Sequence, residues 1–280
     1  MLALLGGLFA LYLLTGLLLF ATQRKLIYPA PRVGFAVAHQ AFREVRLTTE
    51  DGLSLRALYK RAIGDLPTII FFHGNGDSLA GAIKATELLA ASGYGLLLPE
   101  YRGYGGNPGS PSEVGLYRDG EAALRWLNGE GVGADRVVLV GNSLGSGVAT
   151  ELATRHAVAG LVLISGFTSL PDIAASHMRF LPTRWLVRDR YDNAAKLRQV
   201  DAPVLVLHGA ADSLIPAAHG DRLVRAARRG ELEIVPGTGH ELAYLPQSGA
   251  AMLRWLKQVG VDRATPAGEG WETGADDRES

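Results

Sequence analysis

Ser143 stands between two glycines in Gly141-Asn142-Ser143-Leu144-Gly145, directly after the apolar run Val137-Val138-Leu139-Val140. A serine hydroxyl is a poor nucleophile until a base takes its proton, and that base needs an acceptor that fixes its tautomer. Both partners are present further along. Asp212 follows the run Val204-Leu205-Val206-Leu207 within His208-Gly209-Ala210-Ala211-Asp212, and His240 ends the turn Pro236-Gly237-Thr238-Gly239 after the apolar residues 232–235. Together they could perform acyl transfer, with Ser143 attacking a carbonyl, His240 taking its proton and Asp212 orienting the imidazole. Asp201, Asp221 and Asp172 compete for the acid role, but they stand before a strand, inside a helical pattern and in an irregular segment.

Attack on a carbonyl also needs two N–H groups aimed at the oxygen that becomes negative. The amide of Leu144, next after the serine, is one candidate. The other belongs to the loop after the run Thr68–Phe72, which reads His73-Gly74-Asn75-Gly76-Asp77; Gly74 lets that loop approach the serine, and the amide of Asn75 is the expected second donor. His73 and His208 are read as loop-holding residues. His39, His156, His177 and His219 sit in no paired motif, and the histidines show no metal-ligand spacing.

These residues demand a strand–turn–helix elbow and loops beyond the carboxyl ends of strands. The sequence supplies them. Alternating runs at residues 45–48 and 53–58 flank Glu50-Asp51-Gly52 and predict a hairpin. Continuous apolar runs follow at residues 68–72, 95–98, 137–140, 161–164, 204–207 and 232–235, separated by helical patterns near residues 79–91, 116–127, 144–155 and 217–228, with a last helix near residues 249–258. Strands apolar on both faces alternating with helices predict an α/β fold, a mostly parallel eight-stranded sheet covered on two sides and headed by an antiparallel hairpin. Residues 167–198 are less regular, with Pro171, Pro182, Met178, Phe180 and Trp185, and read as a small lid inserted over the sheet.

The chain has 280 residues, no cysteine, and 28 basic against 28 acidic residues. Charge balance leaves no electrostatic footprint for nucleic acid, and the absence of cysteine excludes disulfides, thiolate metal sites and a cysteine nucleophile. Residues 2–21 carry no charge and are long enough to cross a bilayer, with no basic segment before them and no small-residue cleavage site after them. We expect a single-pass anchor over residues 2–22, a linker and extended lead-in over 23–43, the catalytic domain over 44–260 with its lid at 167–198, and a disordered polar tail over 261–280. Arg24 and Lys25 after the apolar run favour the cytoplasmic side for the domain by the positive-inside rule, with the opposite orientation left as the alternative.

The chain resembles the α/β-hydrolase superfamily and, within it, the membrane-anchored Bem46-like serine hydrolases. The residues that carry the likeness are Gln23 to Pro29 (QRKLIYP), Phe72-His73-Gly74-Asn75, Tyr101-Arg102-Gly103-Tyr104-Gly105 with Pro111-Ser112-Glu113, the Ser143 elbow and His240. Two positions depart from that group's pattern: Glu100 replaces a frequent aspartate and Asn107 a frequent serine. Both fall in a structural loop; they bear on substrate preference and leave the catalytic residues intact.

The order Ser143, Asp212, His240 fits that superfamily. The expected reaction is hydrolysis of an ester or thioester through an acyl-enzyme on Ser143, needing no cofactor and no metal, with an acyl or lipid-like substrate reached from the membrane. A peptidase or amidase on the same residues, an acyltransferase, and a non-catalytic tethered binding protein are the competing readings.

Overall fold

The computed structural model describes residues 1–30 and 41–261. About half of the expected linker and nearly all of the expected tail therefore lie outside the described residues.

The first element is α1 (Leu2–Ile27), a helix of 26 residues. Its length is about 39 Å at a rise of about 1.5 Å per residue, and it is the one helix among the described residues long and apolar enough to cross a membrane, with a mean hydropathy of 2.2 over its most apolar window. The expected extended lead-in is corrected here. Leu26 and Ile27 remain helical because they continue the apolar stripe of α1 that faces residues 170–187, and the helix stops only where Pro29 forces Tyr28 out of the helical region, to φ −122° and ψ 72°.

The sheet has eight strands in the order β1-β2-β4-β3-β5-β6-β7-β8. The hairpin is β1 (Arg43–Thr48) and β2 (Ser54–Lys60), paired antiparallel, and β2 lies antiparallel to β4 (Gly95–Pro99). Parallel pairing then runs through β3 (Thr68–Phe72), β5 (Val137–Asn142), β6 (Gly160–Ile164), β7 (Val204–Gly209) and β8 (Gly230–Val235).

Helices cover both faces. Against one pack α3 (Glu113–Gly129), α4 (Leu144–Arg155) and α8 (Ala218–Ala226), through Leu116, Val148, Leu152 and Leu223; against the other pack α2 (Leu79–Ala91) and α9 (Pro246–Gln258), through Leu89, Met252 and Trp255. Strand residues alternate between the two cores: Ile70, Phe72 and Leu139 face the first, Ile69, Phe71 and Val138 the second. That two-sided burial is why these strands read as unbroken apolar runs rather than alternating ones.

Three short helices, α5 (Leu170–His177), α6 (Thr183–Leu186) and α7 (Asn193–Leu197), occupy the irregular segment between β6 and β7. Helix α3 starts earlier than its apolar pattern because Ser112 caps it, accepting a hydrogen bond from the Gly115 amide at 3.1 Å.

Candidate active site

Strand β5 ends one residue before Ser143 and α4 begins one residue after it, so the chain turns within a single residue. Ser143 takes φ 50° and ψ −113°, a left-handed conformation that costs roughly 1–3 kcal/mol for a residue with a side chain. Its amide donates to Ile164 O on β6 at 2.9 Å, and its carbonyl accepts from the Ser146 amide at 2.9 Å and from Ser146 Oγ at 2.6 Å. These bonds hold the strained residue from both sides. Close approach also sets the sequence: a Cβ on Gly145 would stand 2.0 Å from the carbonyl oxygen of Phe72, so only glycine lets α4 start this near β3.

The loops after β7 and β8 meet beside the serine. The Ala210 amide donates to Val235 O at 3.1 Å and the Ala211 amide to Thr238 O at 2.9 Å, tying the two loops together. Asp212 comes from the first and His240 from the second, at the start of a 3₁₀ turn His240–Tyr244. The imidazole bridges its two neighbours: Nδ1 lies 2.8 Å from Asp212 Oδ2 and Nε2 lies 3.0 Å from Ser143 Oγ. The other oxygen of Asp212 accepts from the amides of Leu214 and Ile215, at 3.0 and 2.8 Å.

Burial alone would raise the Asp212 carboxyl, but the His240 and Ile215 bonds and the nearby imidazoles outweigh it and hold the group below the usual carboxylate value. Asp212 is therefore ionised, so Nδ1 of His240 carries the proton and donates, and Nε2 is left to accept from the Ser143 hydroxyl. The Asp212 side chain is fully buried, while the His240 side chain is 30% exposed and open to solvent.

The His73–Asp77 loop lies against the elbow. A Cβ on Gly74 would sit 3.6 Å from Ser143 Cβ, so the absence of a side chain there brings this backbone beside Ser143. His73 Nδ1 donates to Gly74 O at 2.9 Å and Nε2 reaches Glu100 Oε1 at 2.9 Å. Burial opposes charge on His73, but Glu100, with Asp77 and the Gly74 carbonyl, outweighs it and keeps the imidazole above its ordinary value. Tyr101 Oη donates to His73 O at 3.0 Å and Tyr104 Oη to Asn75 Oδ1 at 2.9 Å. The segment Glu100-Tyr101-Arg102-Gly103-Tyr104 is thus the brace of this loop. Asn107 secures the brace in turn, with Nδ2 donating to Glu100 O at 2.8 Å and Oδ1 accepting from the Arg56 amide at 3.0 Å.

His208 stands under the Asp212 loop, with Nε2 3.6 Å from Asp212 Oδ2. Its Nε2 donates to Ile215 O at 2.7 Å, and burial holds the ring below its ordinary value, so it is a neutral prop under the Asp212 loop. Among the rival acids, Asp201 pairs with Arg228, Asp172 accepts from Thr168 Oγ1 at 2.6 Å, and Asp221 stands on α8. None of the three is His240's partner. His156 bonds Glu121, His177 bonds Leu214 O, His219 bonds Thr168, and His39 lies outside the described residues.

One arrangement had no signal in the sequence. Tyr244 Oη donates to Asp77 Oδ2 at 2.6 Å and accepts from Asn142 Nδ2 at 3.4 Å, so the turn that carries His240 is stitched to the loop beside Ser143. These residues are 167 positions apart in one pair and 102 in the other, and only the folded sheet brings them together.

The family model described as the alpha/beta hydrolase fold matches residues 67–194, from before β3 to the start of α7. The uncharacterized protein Rv2307c of Mycobacterium tuberculosis is 39% identical over 237 residues, covering 81% of this chain and 84% of its own length. The chain belongs to the α/β-hydrolase superfamily. Another relative of this α/β-hydrolase is the lysophosphatidylserine lipase ABHD12 of Danio rerio, 30% identical over 204 residues, which are 66% of this chain and 52% of the lipase. This hydrolase thus spans about half of that relative. Among solved structures, the Pyrococcus furiosus esterase Pf2001 superimposes with a TM-score of 0.67 over 82% of this chain and 96% of its own, at 20% identity, a likeness of fold.

Proposed function

We propose that this α/β-hydrolase is a serine hydrolase that cleaves carboxylic esters or thioesters through an acyl-enzyme on Ser143. The observation that carries the reading is the continuous hydrogen-bonded line from Ser143 Oγ through His240 to Asp212. A lipase among the relatives and an esterase among the structural neighbours support ester hydrolysis as the general reaction.

In the proposed cycle His240 Nε2 takes the Ser143 proton as Oγ attacks the carbonyl carbon. Asp212 holds the Nδ1–H and offsets the imidazolium charge, and the amides of Leu144 and Asn75 receive the oxyanion. His240 then protonates the leaving alcohol or thiol, and water, activated by the same imidazole, releases the acid. The positive end of α4 behind Ser143 adds to the field that favours the oxyanion.

We read α1 as a membrane anchor and residues 167–198 as a lid, with the substrate an acyl or lipid-like molecule and the domain on the cytoplasmic side. Fluorophosphonate labelling of the full chain, absent in Ser143→Ala, tests the nucleophile; a folded wild type that takes no label overturns the catalytic reading in favour of a tethered binding protein. A graded panel of p-nitrophenyl esters, acyl thioesters and aminoacyl amides decides the bond. Turnover of the amides alone would replace the esterase with a peptidase.

A further inference from the structure

Helix α1 is not a free tether. From Tyr12 to Tyr28, about 24 Å of helix at about 1.5 Å per residue, it runs beside the segment 178–191. Tyr12 Oη donates to Phe180 O at 2.9 Å, Gln23 Nε2 donates to Leu186 O at 3.1 Å, and Gln23 Oε1 accepts from the Arg188 amide at 2.8 Å. Arg24 closes the contact with a two-pronged bond to the buried Asp189, at 3.1 and 3.2 Å.

Between these polar fastenings the two elements do not fill the space. A cavity of about 250 Å³ lies between Leu19, Phe20 and Ile27 on α1 and Ile173, Met178 and Leu186 opposite. A second hollow, of about 320 Å³, continues it along the helix past Gly16 and Leu17 and shares Phe20, Leu181 and Leu186 with the first. The pair forms one apolar groove parallel to α1. Its helix wall is built from the same residues that make α1 long and apolar enough to span a bilayer.

The outer surface of the opposite wall has the composition of a membrane interface. Trp185 and Phe180 are 87% and 65% exposed, and Arg179, Arg184 and Arg188 are exposed beside them, with the Arg188 guanidinium 4.0 Å over the Phe20 ring. Aromatic side chains at headgroup depth and arginines reaching for phosphates have this mixture. A soluble peptide would find no backbone partners in such a groove; a hydrocarbon chain needs none.

We propose that the groove is a binding site for one acyl chain of a bilayer phospholipid, which enters sideways from the leaflet while the exposed arginines take its phosphate. The inference rests on the reading of α1 as a membrane anchor, and it extends the proposed function by giving the source of the acyl substrate. Helix α5 links this site to the other: His177 lines the cavity and donates from Nε2 to Leu214 O at 3.0 Å, two residues from Asp212.

The test places the full chain in phosphatidylcholine–phosphatidylglycerol vesicles containing a phospholipid with a diazirine in its acyl chain, followed by photolysis and peptide mapping. Crosslinks are expected on Leu17, Phe20, Met178 and Leu186. Ala174→Trp, which fills the cavity wall, should reduce them at least fivefold, whereas Ala10→Trp on the open part of α1 should not. Labelling spread evenly around α1, or unchanged by Ala174→Trp, overturns the proposal. Ser143→Ala separates the two readings, because groove crosslinks that persist there with fluorophosphonate labelling lost assign the site independently of turnover. Intact fluorophosphonate labelling in a wild type without groove crosslinks sinks the groove alone.

Discussion

Asp212 holds His240 through Oδ2 alone, because Oδ1 is already taken by the amides of Leu214 and Ile215. The carboxylate cannot rotate without breaking two backbone bonds, so the imidazole it orients is fixed as well. Asp212→Asn keeps the size but offers an amide where an acceptor is needed, and Nδ1 loses its reason to carry the proton. We expect kcat to fall by about 10⁴-fold with little change in KM, measured by steady-state hydrolysis of a short p-nitrophenyl ester. A rise in KM with kcat unchanged would show that Asp212 serves substrate binding instead.

The His73–Glu100 pair predicts a split between stability and rate. Glu100→Gln leaves a weaker acceptor against a buried imidazole that the carboxylate now keeps above its ordinary value. We expect a loss of about 2 kcal/mol, or roughly 4–8 °C in Tm, together with a lower kcat as the Gly74–Asn75 backbone loosens. Thermal melts and kinetics on the same preparation check both; an unchanged kcat would free this loop of any part in the reaction.

His219 gives a pH dependence that does not involve the serine. Burial, with the Arg222 charge beside it, pushes its imidazole down to about 4. The unfolded chain takes up a proton near the ordinary value of about 6.5, so between these limits it binds more protons than the folded one. This part of the stability is complete above about pH 6.5 and is lost as the pH falls toward 4, on the order of 3 kcal/mol in all. His219→Asn, with an acceptor near the place of Nδ1, should flatten the dependence in urea titrations at pH 7, 6 and 5. A parallel loss in variant and wild type would assign it to other groups.

Gly145→Ala tests whether the elbow tolerates a side chain. With its Cβ only 2.0 Å from Phe72 O, the substitution must push α4 off β3, and we expect a loss of about 3 kcal/mol or more. Circular dichroism and urea unfolding read this directly. A stable, active Gly145→Ala protein would mean that the helix start can shift without cost.

Much of this was legible from residue order because the parts are local. The runs 68–72 and 137–140 name strands covered on both faces, and glycine-flanked Ser143 names the turn between strand and helix. Asp212 and His240 each follow an apolar run closely, so chain order alone brings them to one sheet edge. What stayed hidden depends on distance in sequence. Nothing in Asp77 or Tyr244 announces a bond across 167 residues, and the 3₁₀ turn that starts at His240 has no apolar period to betray it. The helical state of Leu26 and Ile27 was hidden for a related reason: Pro29 marks where the helix must end, but that Leu26 and Ile27 stay helical up to it depends on their packing against residues 170–187, which only the fold brings to them.

The clamp between Arg24 and Asp189 bears on how the molecule is made. Residue 24 leaves the ribosome some 165 positions before residue 189, so on the proposed anchor reading the helix waits at the membrane for the segment that will close upon it. Removing residues 1–28 to obtain a soluble protein would then leave Asp189 and Tyr191 without the partners Arg24 and Tyr28 now give them. It would also uncover the apolar side of α6. The helix is less a leash on a finished enzyme than the last wall of it, and a truncated chain is a different molecule in the region where an acyl chain would arrive.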